Sequence, residues 1–104
     1  MNAYLVVSHF KREVPEAEMS EILQNHLAYF KKALDDGKVI VAGPHVWADG
    51  SIGRGGVIVL SAASKDEASE IMRNDPLAIA DIIDYTISEF KIVNIRPELN
   101  KLAE

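Results

Sequence analysis

His26 and Asp75 are the two side chains of this sequence whose types and positions could together perform proton transfer. His26 lies within about 30° of the centre of the apolar side of a predicted helix. The apolar side comprises Met19, Ile22, Leu23, Phe30, Ala33 and Leu34. Asp75 lies about 20° from Ala68 on the wheel of a second predicted helix. Both polar side chains therefore point towards a common core.

A His–Asp pair at such a position is the arrangement of a general base. An unpaired polar group in a core costs a few kcal/mol, so His26 needs a partner. A carboxylate that accepts a hydrogen bond from one ring nitrogen fixes the tautomer and raises the basicity of the other nitrogen. Asp75 is predicted to orient His26 in this way.

Each residue also has a structural interpretation. A buried histidine can be a hydrogen-bonded core residue without catalytic work. Asp75 precedes Pro76, and this pair is typical of an N-cap followed by the first helical position, here for the stretch LAIADII. A cap uses one carboxylate oxygen, so we expect the other oxygen to remain for His26 and the two roles to coexist.

Gly43, Pro44, His45 and Trp47 are the candidate substrate-binding residues. They follow a predicted strand, in a segment that could line a pocket, although a solvent-exposed loop accounts for His45 and Trp47 equally well. The stretch GSIGRGG, residues 50–56, lacks the Lys-Ser/Thr ending of a phosphate loop and precedes a strand, so a flexible hairpin is predicted there.

The chain has no cysteine, and its three histidines lack metal-ligand spacing, so neither a metal site nor a cofactor is predicted. Its 104 residues are enough for one domain, 1–104, with a core at about 3–95 and a polar tail at 96–104. A net charge of −5 speaks against a nucleic-acid partner. Without a signal segment or a long apolar run, a cytoplasmic protein with no membrane partner is expected.

The elements that must position these residues follow the order βαββαβ. Helix one is predicted from about Pro15 to Asp36, with Gly37 as its cap, and helix two from a capping box at Ser64 and Glu67. The strands are predicted at residues 3–8, 38–44, 56–62 and 85–95, and a short helical stretch at 77–83. This order predicts a ferredoxin-like α+β sandwich.

The second and third strands are apolar on both faces, at Val39–Val41 and Val57–Leu60. Two helices can cover only one face of the sheet, and the other would leave an apolar patch in water. A homodimer through that sheet face, a dimeric α+β barrel, is therefore predicted.

Three stretches occur in a recognisable order and cover about residues 3–95. They are H-L-x-Y-F at His26–Phe30, G-x-h-h-x-A-G-P at Gly37–Pro44, and E-A-x-x-h-x-x-x-D-P at Glu67–Pro76. Together with a Gly-bearing turn and strand, they resemble the YciI-like family. The resemblance implies the same dimeric ferredoxin-like fold, similar to that of muconolactone isomerase. It also implies an active-site His–Asp pair, which maps onto His26 and Asp75.

One class in that family is a cofactor-free dehydrochlorinase of a chlorinated, hydroxylated aromatic. The sequence departs from many members at Leu23, where an arginine is common, and at His9-Phe10, where others are acidic. Two functions are therefore expected. One is a small cofactor-independent lyase- or isomerase-type enzyme with a small-molecule substrate such as a hydroxylated aromatic or a lactone. The other is a non-catalytic dimeric module that binds a small metabolite or serves in assembly, with a structural His–Asp pair.

Overall fold

The computed structural model describes residues 2–99, in which four strands form one antiparallel sheet with helices on one face. The elements are β1 (Asn2–Phe10), α1 (Glu16–Asp35), β2 (Val39–Val46), β3 (Ile52–Leu60), α2 (Lys65–Arg73), α3 (Pro76–Ile79) and β4 (Ile83–Lys91). The strand order is β2-β3-β1-β4, and every neighbouring pair is antiparallel. The predicted ferredoxin-like α+β architecture is confirmed.

The predicted helix boundaries follow from their caps. Gly37 has φ of 79° and its N–H donates to the Leu34 carbonyl, which ends α1. The Ser64 side chain accepts from the Glu67 N–H at 3.2 Å, and the Glu67 carboxylate accepts from the Ala63 N–H at 3.2 Å. Ser64 therefore caps α2 as expected, whereas Glu67 accepts from the residue before the cap and not, as in the standard capping box, from the cap residue itself.

The buried side of α1 differs from the predicted one. Leu23 and Leu34 were expected in the core, but they are 41% and 50% exposed. The residues that face the sheet and the other helices are Met19, Ile22, His26, Tyr29, Phe30 and Ala33. Their spacing follows the i, i+4, i+7, i+11 pattern of a helix laid on one surface, and it places His26 near the middle of the true buried side.

The connection between β2 and β3 is shorter than predicted. A long flexible hairpin was expected, but β2 continues through Pro44 to Val46 and β3 begins at Ile52. An edge strand tolerates proline because one side of it needs no ladder partner. The Trp47 N–H donates to the Ser51 carbonyl at 2.9 Å, so the turn that joins the strands is tight.

The end of the chain also departs from the predicted boundaries. α3 stops at Ile79 rather than near residue 83, and Asp81, with φ of 59°, turns the chain into β4. β4 then spans Ile83–Lys91, earlier than the predicted 85–95. Of the predicted polar tail at 96–104, residues 100–104 lie outside the described part of the chain.

The sheet has one covered and one open face. The core between the sheet and the helices contains Val6, Leu60, Met72 and Ile82, each fully buried. The opposite face exposes Val7, Val57 and Val41, at 38%, 36% and 58%. The predicted apolar open face is therefore present in the single chain. Within residues 2–99, no helix has both the length and the apolar character that crossing a bilayer requires.

Candidate active site

The structure brings together the two residues predicted to form a pair. His26 lies in the middle of α1, and Asp75 lies between α2 and α3. His26 Nδ1 is 2.7 Å from Asp75 Oδ1, a distance typical of a charge-assisted hydrogen bond. The His26 side chain is 21% exposed and the Asp75 side chain is 1% exposed. The carboxylate is therefore an interior group and the imidazole reaches towards the surface.

Asp75 is also the N-cap of α3, as predicted. The Leu77 N–H donates to Asp75 Oδ1 at 3.0 Å, so the cap and the His26 contact use the same oxygen. The expectation that each role would take a different oxygen is wrong. Asp75 Oδ2 is buried and accepts no hydrogen bond from the part of the chain that the structure describes. Both hydrogen bonds are accepted by Oδ1, which faces His26 Nδ1 and the Leu77 N–H.

The contact at Nδ1 defines what the other ring nitrogen of His26 can do. In a neutral imidazole, an Nδ1–H that donates to the carboxylate leaves the lone pair on Nε2. The ring of Phe30 packs against the imidazole edge-to-face, with centroids 5.0 Å apart and an angle of 64° between the planes. The imidazole is therefore held on two sides, and Nε2 is the ring nitrogen available for proton transfer.

Tyr29, the tyrosine of the H-L-x-Y-F stretch, is a neighbour of the pair to which the sequence analysis assigned no role. Its hydroxyl donates to the Ile71 carbonyl at 2.6 Å, linking α1 to the last turn of α2. Burial raises the pKa of Tyr29, and the negative charges of Asp75 and Glu70 raise it further. A tyrosine three residues after His26 shares its side of the helix, and that spacing was the available signal.

The four candidate substrate-binding residues lie elsewhere in the single chain. Gly43 and Pro44 line a cavity of about 270 Å³, together with Val41, Ala42 and Val57. Neither His26 nor Asp75 lines this cavity. His45 is partly buried near the end of β2, and Trp47, just beyond that strand, is 61% exposed. One copy of the chain therefore does not join these four residues and the pair in one cavity.

A second cavity, of about 380 Å³, is lined by Leu23, which lies three residues before His26 on α1, but by neither His26 nor Asp75. Its other lining residues are Phe10, Arg12, Glu13, Val14, Glu16, Met19, Ser20 and Arg54. Arg54 and Glu13 form an ion pair here, and this contact lowers the pKa of the Glu13 carboxyl. The cavity therefore has apolar side chains in its wall, and each of its two arginines, Arg54 and Arg12, is paired with a glutamate. Among residues 2–99, no three acidic, histidine or cysteine side chains are grouped as a metal site.

The model of the YCII-related domain matches residues 3–91. The chain belongs to the YCII-related domain family. The resemblance stated from the motifs is therefore confirmed, and no curated protein sequence matches significantly.

Three solved structures support the fold of this YCII-related protein. The 5-chloro-2-hydroxyhydroquinone dehydrochlorinase from Burkholderia phenoliruptrix, in complex with 2,5-dihydroxybenzoquinone, is 23% identical with a TM-score of 0.69; the match covers 86% of this chain and 93% of that one. A protein from Agrobacterium tumefaciens is 15% identical with a TM-score of 0.54, covering 93% and 98%. A dimeric ferredoxin-like protein from an uncultured marine organism is 13% identical with a TM-score of 0.50, covering 91% and 97%. At these identities the similarity establishes the fold alone.

Proposed function

We propose that this YCII-related protein is an acid–base enzyme of the lyase or isomerase type that needs no cofactor. The observation that carries the proposal is the 2.7 Å contact between His26 Nδ1 and Asp75 Oδ1, which leaves Nε2 as the free ring nitrogen. His26 is the general base and Asp75 orients it. A proton transfer of this kind contributes about 10²–10⁴-fold to a rate.

In the proposed reaction, His26 Nε2 takes a proton from a substrate hydroxyl or from a carbon next to a carbonyl. The imidazolium that forms is stabilised by the Asp75 carboxylate through Nδ1–H. In an isomerisation, the same Nε2–H returns the proton to another atom of the substrate. In an elimination, the substrate loses the proton to Nε2 and releases an anionic leaving group, so charge and atoms balance without an oxidant.

The substrate class proposed is a small hydroxylated aromatic ring or an unsaturated lactone. The Burkholderia neighbour acts on a chlorinated hydroxyhydroquinone, and its structure holds a dihydroxybenzoquinone. Leu23 contributes an apolar side chain to the wall of the second cavity, where many family members carry an arginine. A neutral ring suits that wall better than a multiply charged substrate does, because the arginines of this cavity are already paired.

We also propose a homodimer through the open sheet face. Val7 and Val57 are cross-strand partners on that face, and both are partly exposed in the single chain. Pairing two such faces would remove a contiguous apolar surface from water. The proposed substrate-binding role of Gly43, Pro44, His45 and Trp47 belongs to this dimer, since the cavity at Gly43 and Pro44 includes Val57 of the same face.

One observation favours the alternative function, a non-catalytic dimeric module that binds a small metabolite or serves in assembly. Asp75 is almost fully buried and caps α3, so its contact with His26 also stabilises the junction between α1 and α3. In that case the pair is a structural tie, and replacing His26 changes stability but no reaction rate.

A screen of hydroxylated aromatics and unsaturated lactones with His26→Gln distinguishes the two functions. The glutamine amide can still donate to Asp75, but it cannot act as a base near neutral pH. We expect a compound that the unaltered protein converts and that His26→Gln converts about 10²–10⁴-fold more slowly. Gln24→Ala is the control, because Gln24 lies on the exposed side of α1, two residues before His26. Equal turnover by His26→Gln and the unaltered protein would refute the catalytic proposal.

A further inference from the structure

The last turn of α2 has a backbone carbonyl that its own helix does not satisfy. In a continuing helix, the Ile71 carbonyl would accept from the Asp75 N–H and the Met72 carbonyl from residue 76. Pro76 has no N–H to donate. The Asp75 N–H instead donates to the Met72 carbonyl at 3.2 Å, which leaves the Ile71 carbonyl without its helical donor.

The Tyr29 hydroxyl supplies the missing donor. It lies 2.6 Å from the Ile71 carbonyl oxygen, and Tyr29 is one helical turn after His26 on α1. Ile71 is four residues before Asp75. The hydrogen bond therefore joins the two segments that carry the pair, on the side of α1 where His26 meets Asp75.

The Tyr29 ring also contributes to the packing around His26. It contacts Phe30 edge-to-face, with centroids 5.1 Å apart, and Phe30 contacts the His26 imidazole in the same manner. A shift of Tyr29 away from Ile71 would move a ring that supports the His26 ring through Phe30. The hydrogen bond from Tyr29 to Ile71 and the ring contacts through Phe30 therefore both constrain the position of the His26 imidazole.

We propose that Tyr29 is a positioning residue for the His26–Asp75 pair. Its hydroxyl binds the carbonyl that the Asp75-Pro76 sequence leaves free, and this bond holds α1 at the distance where Nδ1 reaches Oδ1. The consequence for turnover rests on the proposed function. The geometric claim does not, because the His26 ring can be observed without a substrate.

The test is Tyr29→Phe, which removes only the hydroxyl, with Tyr4→Phe as the matched control. The Tyr4 hydroxyl donates to Glu89 at 3.3 Å, so this control also loses one hydroxyl hydrogen bond. In ¹⁵N-histidine spectra, with His26 assigned by His26→Gln, we expect the Nδ1-bound proton of Tyr29→Phe to exchange with water about 3- to 10-fold faster, the factor for one lost hydrogen bond. Tyr4→Phe should leave that rate unchanged. An unchanged rate in Tyr29→Phe would overturn the proposal.

With a substrate from the screen, Tyr29→Phe should lower kcat by a similar factor and leave KM unchanged, since Tyr29 acts through His26. If the screen yields no substrate, the proton-exchange result still decides the positioning claim.

A second measurement, on the unaltered protein, covers a failure of Tyr29→Phe to fold. If the hydrogen bond of the Tyr29 hydroxyl holds α1 where Nδ1 reaches Oδ1, one opening motion should expose both the hydroxyl proton of Tyr29 and the Nδ1-bound proton of His26. We therefore expect the two protons to exchange with water at rates within about 10-fold of each other. A larger difference between the two exchange rates would contradict the proposal.

Discussion

The carboxylate of Asp75 concentrates two tasks on one oxygen. Oδ1 accepts from the ring of His26 and from the backbone of Leu77, while Oδ2 is buried without a donor from the described residues. Removing one partner of a buried charged pair leaves the other charge uncompensated. Because the Asp75 side chain is only 1% exposed, His26→Leu would leave the Asp75 carboxylate buried without this partner.

The first prediction is a double-mutant cycle at the pair. His26→Leu should lower the free energy of unfolding by about 1.5–3 kcal/mol, the range for a hydrogen bond to a charged group. Asp75→Ser keeps a capping hydroxyl but removes the carboxylate. The double variant should be destabilised by about 1.5–3 kcal/mol less than the sum of the single variants, because no charge remains buried. Urea unfolding measures all four proteins, and additivity within about 0.5 kcal/mol would argue against coupling.

The second prediction concerns Asp75→Asn. Asparagine caps helices as well as aspartate does, so a residue that served only as a cap would tolerate the change. Here the change would remove the negative charge that accepts from His26 and would bury an amide nitrogen at the position of Oδ2, an oxygen that meets no hydrogen-bond donor among residues 2–99. We expect a loss of about 1–3 kcal/mol in the free energy of unfolding. Asp84→Asn, at a carboxylate that is 58% exposed, is the control and should stay within about 0.5 kcal/mol. An equally small effect at Asp75 would show that its buried oxygen is hydrated or relocates.

At the scale of elements, the β2–β3 hairpin shows how glycine serves close strand packing. Gly55 has φ of 122°, and a Cβ there would lie 2.7 Å from the His9 Cα and still closer to the Ser8 carbonyl. Gly50, in the turn, also has positive φ, at 87°, but a Cβ there would have no neighbour within 4 Å. Both glycines therefore have a positive φ, but only Gly55 lies too close to other backbone atoms for a side chain.

This contrast gives the third prediction. Gly50→Ala should cost about 1–2 kcal/mol of stability, the cost of placing an alanine in a left-handed conformation. Gly55→Ala should cost more, at least about 3 kcal/mol, because the methyl group must also displace the backbone of β1. Denaturant unfolding of the two variants provides the comparison. Similar losses in both would mean that β1 and β3 can separate at Gly55 without penalty.

At the scale of the whole molecule, the open sheet face is the feature that a single copy leaves unexplained. Val7 and Val57 pair across β1 and β3, and Val41 continues the apolar surface onto β2. The helices cover only the opposite face of the sheet. A second copy is the simplest partner, since its face has the same apolar character and a two-fold axis makes such a contact self-complementary.

The fourth prediction is therefore a dimer of about 23 kDa, twice the 11.5 kDa chain, measured by light scattering at micromolar concentration. Val57→Lys should convert it to a monomer with an unchanged circular dichroism spectrum, because the lysine would place a charge in the centre of the contact. Leu27→Lys is the control, since Leu27 is 61% exposed on α1. A monomer of the unaltered protein, or a dimer of Val57→Lys, would contradict the sheet-face interface.

The local patterns of the chain were sufficient for its architecture. Helix caps at Gly37 and Ser64, and the strand and helix periodicities, depend on residues within a few positions of each other, so the order of elements could be predicted before any contact was known. The pairing of His26 with Asp75 could also be anticipated, because the helical wheels place His26 on the inner side of helix one and Asp75, just after helix two, in line with its inner side, and the ferredoxin-like order places both helices on one face.

Other features depend on contacts between distant segments, and packing alone determined them. The hydroxyl of Tyr29 binds Ile71, 42 positions away, because the packed fold brings this part of α1 within hydrogen-bond distance of the last turn of α2. The cap and His26 share a single oxygen because Asp75 lies where α1 passes the start of α3. Position 55 requires a glycine because β1 approaches too closely for a side chain, although the intrinsic preference of glycine favours a turn over a strand. The spacing of residues along the chain predicts which of them are neighbours within one helix or strand. The distances between residues of different elements depend instead on how the formed helices and strands pack.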